Sequence, residues 1–288
     1  MSDKKVWLIT GCSSGLGQEI ALAALEQGDI VVATARNPDV LSDLASKGAI
    51  IERLDVTASD ASLADTVQRV LSKTGGRIDV LVNNAGYVLS GGIEECSRDE
   101  VYAQFDANVF GQLNMIRAVL PVMRRQRDGV VANLGSIAGW NGSAGAGLYC
   151  ATKACAAMVT EALRDEVAHL GIRVTCIEPG YFRTNLLGGR RLRAQNVIED
   201  LKAGVDPTLT SLDGYNLKQP GDPKKGAKLI VNALTGRGSC QGLELPARLM
   251  IGRDAYKIVL GALDKTREHF EAWRSLATST DCDDVAQD

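Results

Sequence analysis

The sequence predicts a single α/β domain, a doubly wound parallel sheet of about seven strands with helices on both faces. Three observations carry that expectation. Short β-branched runs alternate with longer helical patterns along most of the 288 residues. The short runs are nearly continuous in apolar residues, as parallel strands covered on both sides require. A glycine-rich turn, "TGCSSGLG" at 10–17, joins the first such run to the first helical stretch.

The expected strands are "VWLIT" (6–10), "IVVATA" (30–35), "AIIERLDV" (49–56), "IDVLVNN" (78–84), "GVVANLGS" (129–136), "RVTCIEPG" (173–180) and "ARLMIG" (247–252). Their Val, Ile and Thr content suits a pleated, buried surface. Between them the spacing predicts helices over 15–27, 60–73, 98–125, 149–169 and 223–235. Right-handed crossovers then wind the chain on both sides of the sheet. A further helix is expected over about 254–277, and residues 278–288 read as an acidic tail that frays. One segment breaks the alternation. Residues 181–222, long and punctuated by Gly and Pro, read as a lid or mobile loop. Its "GGRRLR" cluster reads as solvated surface, with a phosphate site as the alternative.

Composition excludes several function classes. Net charge is −3, which gives no electrostatic case for nucleic acid or an anionic membrane. No apolar run approaches spanning length, and "MSDKKVWLIT" lacks a signal-peptide core, so a cytoplasmic protein is expected. Seven scattered cysteines without a C-x-x-C pair suggest reduced thiols. Cys12 and Cys150 fall inside motifs, yet no base or cation beside them in sequence would activate them, so both read as packing. The two histidines, His169 and His269, have no ligand-spaced partner, so neither a zinc site nor a Ser-His-Asp triad is expected.

The turn at 10–17 carries the first chemistry. Gly11 suits a tight turn, Gly15 a backbone approach to pyrophosphate, and Gly17 close helix–strand packing. The helix that opens there offers unpaired N–H groups and its positive end to phosphates. Ser13, Ser14 and Leu16 belong to the same cradle. At the end of the second strand "VVATARNP" has Ala35 where a selective NAD site places a carboxylate, about 20 residues beyond the glycines. Arg36 follows, and a guanidinium suits a 2′-phosphate, so NADP(H) is expected over NAD(H); the alternative is one more surface arginine.

"YCATKACAAM" (149–158) sets Tyr149 and Lys153 one helical turn apart. That spacing alone also fits a packed tyrosine and a solvated lysine. Ser136 alone could end a strand, and Asn108 alone could be a satisfied buried polar residue.

Jointly these segments resemble the short-chain dehydrogenase/reductase family. "TGCSSGLG" matches its T-G-x-x-x-G-x-G pattern, Asp55–Val56 its adenine segment, and Asn83 to Gly86, with Ala85, its "NNAG". Asn108 of "FDANVFG", Ser136 of "GSIAG", Tyr149 and Lys153 of "YCATK", and Pro179, Gly180 and Thr184 of "PGYFRT" complete the series, in order, from 6 to about 184. Beyond 184 the likeness is looser. Length and "EAWRSLATSTD" are similar to the 17-beta-hydroxysteroid and retinol dehydrogenase branch. The resemblance implies a Rossmann-type sheet in the order 3-2-1-4-5-6-7, NADP(H), a homodimer or homotetramer, and no metal. It implies Tyr149 as acid/base, Lys153 as its tuner and ribose ligand, Ser136 as the carbonyl polariser, and Asn108 as the holder of a proton-relay water. Asp55 has a second reading, as the cap of the next helix.

The chemistry is coherent. Tyrosine ionises near 10, so an ammonium one turn away should favour the phenolate. A three-unit shift needs about 4 kcal/mol. The expected reaction interconverts an alcohol and a ketone or aldehyde. Tyr181, Leu186 and Leu187 of the lid suggest a hydrophobic substrate of steroid, retinoid or polyketide size. A cofactor-sensing protein without turnover is the competing reading, and a filled set of four residues argues against it.

Overall fold

The computed structural model describes residues 4–282. Its strands are β1 (Val6–Ile9), β2 (Ile30–Ala35), β3 (Ile50–Arg53), β4 (Val80–Asn83), β5 (Val88–Ser90), β6 (Gly129–Leu134), β7 (Ile172–Pro179), β8 (Arg191–Arg193) and β9 (Arg248–Ile251). Seven of them form one parallel sheet in the order β3-β2-β1-β4-β6-β7-β9. Counted within that sheet, this is the expected 3-2-1-4-5-6-7. The helices are α1 (Gly15–Glu26), α2 (Ser42–Ser46), α3 (Asp60–Lys73), α4 (Arg98–Phe105), α5 (Gly111–Gln126), α6 (Gly147–Val167), α7 (Lys202–Tyr215), α8 (Pro223–Thr235) and α9 (Arg253–Ala277).

Alternation along the strands builds two cores. Trp7, Ile9, Val31, Ala33, Val80, Val82, Val130 and Ala132 pack with Ile20 and Ala24 of α1 and Ile230 and Leu234 of α8. Leu8, Val32, Leu81 and Val131 face the other way, toward Val67 of α3, Val119 and Met123 of α5, and Leu163 of α6. Adjacent residues on a strand point to opposite faces, so apolar runs without alternation bury both. Strand order reverses between β1 and β4, and a crevice opens there at the strands' C-terminal ends, where doubly wound sheets bind ligands.

Three features depart from the expectation. The helix expected over 98–125 begins at a capping box, with Ser97 and Glu100 satisfying each other's backbone N–H. It is then interrupted by a π-helical turn at Asp106–Phe110 before α5. Second, the 181–222 segment is not a structureless loop. Strand β8 pairs in parallel with β5, and α7 follows. Helix α7 carries Pro207 and two glycines, which hid it from propensity. Packing holds it: Val205 is buried, and Tyr215 meets Tyr181 edge-on at 5.0 Å. Third, a 3₁₀ turn at Thr278–Thr280 extends α9 into the expected tail; residues 283–288 lie outside the described residues. Among the described residues no helix is long and apolar enough to cross a membrane.

Candidate active site

A cavity of about 570 Å³ runs from the glycine turn to the 181–222 segment. Ser14, Gly15 and Leu16 line one end, and Ser136, Tyr149 and Lys153 the middle. Leu186, Leu187, Pro207 and Leu212 line the far end, beneath α7. Gly86, Pro179, Gly180 and Thr184 also border it. Most of the expected site residues thus meet in one place, although they come from five separate chain segments.

The glycine turn is built for an anion. Gly11 and Gly15 sit at φ 70° and 66°, in the left-handed region that a side chain strains. Ser14 caps α1 with no side-chain hydrogen bond, and the first turn holds no acidic residue, so the helix N–H groups stay open. Gly17 has a different role from the expected helix–strand contact. A Cβ there would lie 2.3 Å from Asn84 Nδ2, which donates to the carbonyls of Thr10 (2.9 Å) and Gly11 (3.0 Å). Gly17 makes room for the amide that ties the turn to the end of β4.

That finding shifts a residue of the expected set. Asn83 is buried between strands, donating to Asn133 Oδ1 at 2.9 Å, and does not line the cavity. Its neighbour Asn84 does. A strand's side chains alternate faces, so only one of two adjacent asparagines can face the site. Ala85 N bonds Thr10 Oγ1 at 3.0 Å and serves the same junction. Val56 is buried, and its carbonyl accepts from Asn114 at 2.9 Å. Asp55 is exposed and accepts from Thr57 N and Oγ1 (3.1 and 2.8 Å). It does not cap α3, because Ser59 does. Arg36 stands exposed just past β2.

Tyr149 and Lys153 come together beside the end of β6. Lys153 is buried, its Nζ donating to Leu134 O at 2.6 Å and lying 5.6 Å from the Tyr149 ring centroid. Burial pulls the lysine down to about 8. Burial likewise pushes the Tyr149 phenol up to about 12, and the opposing effect is a hydrogen bond with Ser136. The Lys153 ammonium is turned toward the end of β6.

Ser136 follows β6 and fixes its own loop, its Oγ accepting from Ala138 N at 3.1 Å. Asn108 occupies the π-turn and is fully buried. It donates to Tyr87 O (2.9 Å) and Thr152 Oγ1 (3.2 Å) and accepts from Tyr87 N (3.1 Å). Thr152 Oγ1 in turn donates to Tyr149 O at 2.7 Å. Asn108 thus braces the helix that carries the Tyr-Lys pair, through Thr152. The π-turn is what aims it there, and such bulges concentrate at functional sites.

Sequence reasoning missed two groups. Trp140 Nε1 donates to the fully buried Glu178 at 2.8 Å, and Arg248 Nε donates to the other oxygen at 2.8 Å. The Arg248 guanidinium also stacks 3.7 Å from the Trp140 ring. This trio ties the loop after Ser136 to β7 and β9. The other is Arg190, half-buried on the cavity wall and hydrogen-bonded to Ser13. Buried at 1% exposure, Cys12 bonds Ile9 O, and its thiol is pushed up to about 12, as packing requires.

These features fit a nicotinamide dinucleotide: open helix N–H groups, an elongated cavity and a phenol beside a serine at its centre. The comparisons agree with that fit. A family model described as short chain dehydrogenase matches residues 5–195. An oxidoreductase of Botryotinia fuckeliana is 35% identical over 280 residues, 96% of this chain and 99% of that protein. A 3-ketodihydrosphingosine reductase of Bacteroides thetaiotaomicron is 39% identical over 188 residues, 65% of this chain and 68% of its own length. Among solved structures, a short-chain dehydrogenase from Streptomyces avermitilis superposes at TM-score 0.86 with 40% identity, covering 97% of this chain and 100% of that one. A serine dehydrogenase complexed with NADP+ superposes at 0.68 with 27% identity, covering 85% of this chain and 94% of that one.

Proposed function

The chain belongs to the short-chain dehydrogenase family, and from that premise we propose that it is an NADP(H)-dependent reductase of apolar ketones or aldehydes, with Tyr149 as its proton donor. The observation that carries this reading is that Tyr149, Ser136 and Lys153 line one cavity together with the glycine turn and the apolar residues Leu186, Leu187, Pro207 and Leu212.

The glycine turn and the start of α1 would hold the pyrophosphate, and Arg36 a 2′-phosphate. When bound, the nicotinamide exchanges a hydride with the substrate carbon. Ser136 Oγ donates a hydrogen bond to the substrate oxygen as negative charge develops on it. Tyr149 gives its proton to that oxygen on reduction and takes it back on oxidation. Lys153 fixes the end of β6 through Leu134 O and keeps a cation within reach of the site. Asn108 holds α6 in register through Thr152.

Leu186, Leu187, Pro207 and Leu212 make the substrate end apolar, which supports a hydrophobic substrate. The 3-ketodihydrosphingosine reductase among its relatives supports a ketone as the substrate class. Free thiols at all seven cysteines accord with a reducing, cytoplasmic setting. Exposed Tyr102, Phe110 and Met158 on the α4 to α6 side support association as a homodimer or homotetramer.

A screen of NADPH and NADH consumption against carbonyls of graded size and polarity tests the reading. The expected result is turnover of bulky apolar carbonyls with NADPH ahead of NADH. Turnover confined to small polar carbonyls, or equal use of both cofactors, contradicts it.

A further inference from the structure

Arg190 of the lid segment turns back onto the glycine loop. Its Nη2 donates to Ser13 Oγ, and its side chain lines the same cavity as Gly15 and Leu16. Half-buried guanidiniums ordinarily sit on a carboxylate. Among the described residues Arg190 has none. Burial and the Arg36 guanidinium lower its pKa, against an opposing effect of Cys12. Two guanidiniums brought together without an acid between them describe an anion site.

The backbone says which anion. Cys12 N donates to Thr34 O at 2.9 Å, so the turn at Cys12–Ser13 is stitched to the end of β2, beside Ala35 and Arg36. Ser13 therefore stands on the β2 side of the turn, away from the open N–H groups at Gly15 and Leu16 that suit the pyrophosphate. In a doubly wound dinucleotide site the end of β2 is where the adenine ribose 2′-position is read.

We propose that Arg190, reaching from the lid, completes with Arg36 and Ser13 a clamp for the ribose 2′-phosphate, so that the substrate lid is itself part of the cofactor-specificity site. The wiring on the lid side is rigid enough to hold the guanidinium there. Val88 N donates to Arg190 O at 3.1 Å, opening the β5–β8 pairing, and Arg191 and Arg193 both bond Asp213 of α7. One segment thus carries both a phosphate ligand, Arg190, and the apolar residues Leu186, Leu187, Pro207 and Leu212 of the cavity wall.

The proposal rests on the NADP(H) reading above, and two probes that need no turnover separate the two. Calorimetric titration of the purified protein uses adenosine 2′,5′-bisphosphate, which carries the 2′-phosphate, and adenosine 5′-diphosphate, which carries the pyrophosphate instead. Arg190→Met should weaken adenosine 2′,5′-bisphosphate binding about tenfold or more, the scale of one charge-assisted bond, and leave adenosine 5′-diphosphate unchanged. Unchanged diphosphate binding also reports an intact fold. Arg190→Lys should recover part of the loss. If the wild type binds both probes equally, the NADP(H) reading falls and the clamp with it. If the wild type prefers the bisphosphate but Arg190→Met keeps that preference, the clamp is wrong and the cofactor reading stands. Equal weakening of both probes places Arg190 on the pyrophosphate and also overturns the proposal.

Discussion

Replacing Lys153 by Met should make the protein more stable at neutral pH while removing its activity. Lys153 is 6% exposed, and burial lowers its pKa from 10.5 to about 8. That shift corresponds to about 3 kcal/mol of penalty on the charged form in the folded state. The Met side chain escapes the penalty but leaves Leu134 O without its donor, at a cost of about 1–2 kcal/mol. The net gain is about 1–2 kcal/mol, or a few degrees in Tm for a domain of this size. The pH dependence gives the sharper reading. Below pH 8 both folded and unfolded chains hold the proton, and the penalty is complete. Between about 8 and 10.5 the folded chain has lost the proton while the unfolded chain keeps it, so wild-type stability rises with pH. The advantage of Lys153→Met should therefore be largest at pH 7 and shrink by pH 9.5, as measured by thermal denaturation at both values. A difference that is constant, or that grows with pH, would refute the burial argument.

Trp140→Phe removes one of three N–H donors to the buried Glu178 carboxylate, the one on Oε2, Arg248 supplying the other two to Oε1, and should cost about 1.5–3 kcal/mol, seen as a lower Tm. Because the freed loop carries Ser136, kcat should fall while the Kd for NADPH holds; an unchanged kcat would show that the loop needs no such tie. Gly17→Ala pushes a methyl into Asn84 Nδ2 and should weaken cofactor binding, with Asn84→Ser restoring part of it. If the second change restores nothing, the clash is not with the amide.

The sheet was legible because both of its faces are buried, which leaves apolar runs with no polar alternation to confuse them. The glycine turn and the Tyr149–Lys153 pair were legible for a related reason: each lies within a few residues of chain. What escaped depends on distance in sequence. Helix α7 is held by contacts with Tyr181 and with the neighbourhood of Gly92 and Gly145, which its own glycines and proline do not foretell. Asn83 and Asn84 exchange roles because the register of β4, not the motif, decides which amide faces the crevice. The "GGRRLR" cluster read as solvated surface, with a phosphate site as the alternative, and the structure turns Arg190 onto Ser13. A cluster of arginines beside a lid carries no sequence signal for which one faces inward.

The central claim is that Tyr149 supplies the proton. It is tested most directly by single-turnover hydride transfer from NADPH to an accepted ketone in wild type and Tyr149→Phe, with NADPH affinity measured on the same samples. The account predicts loss of transfer by several orders of magnitude with NADPH binding retained. Hydride transfer in Tyr149→Phe within tenfold of wild type would contradict it.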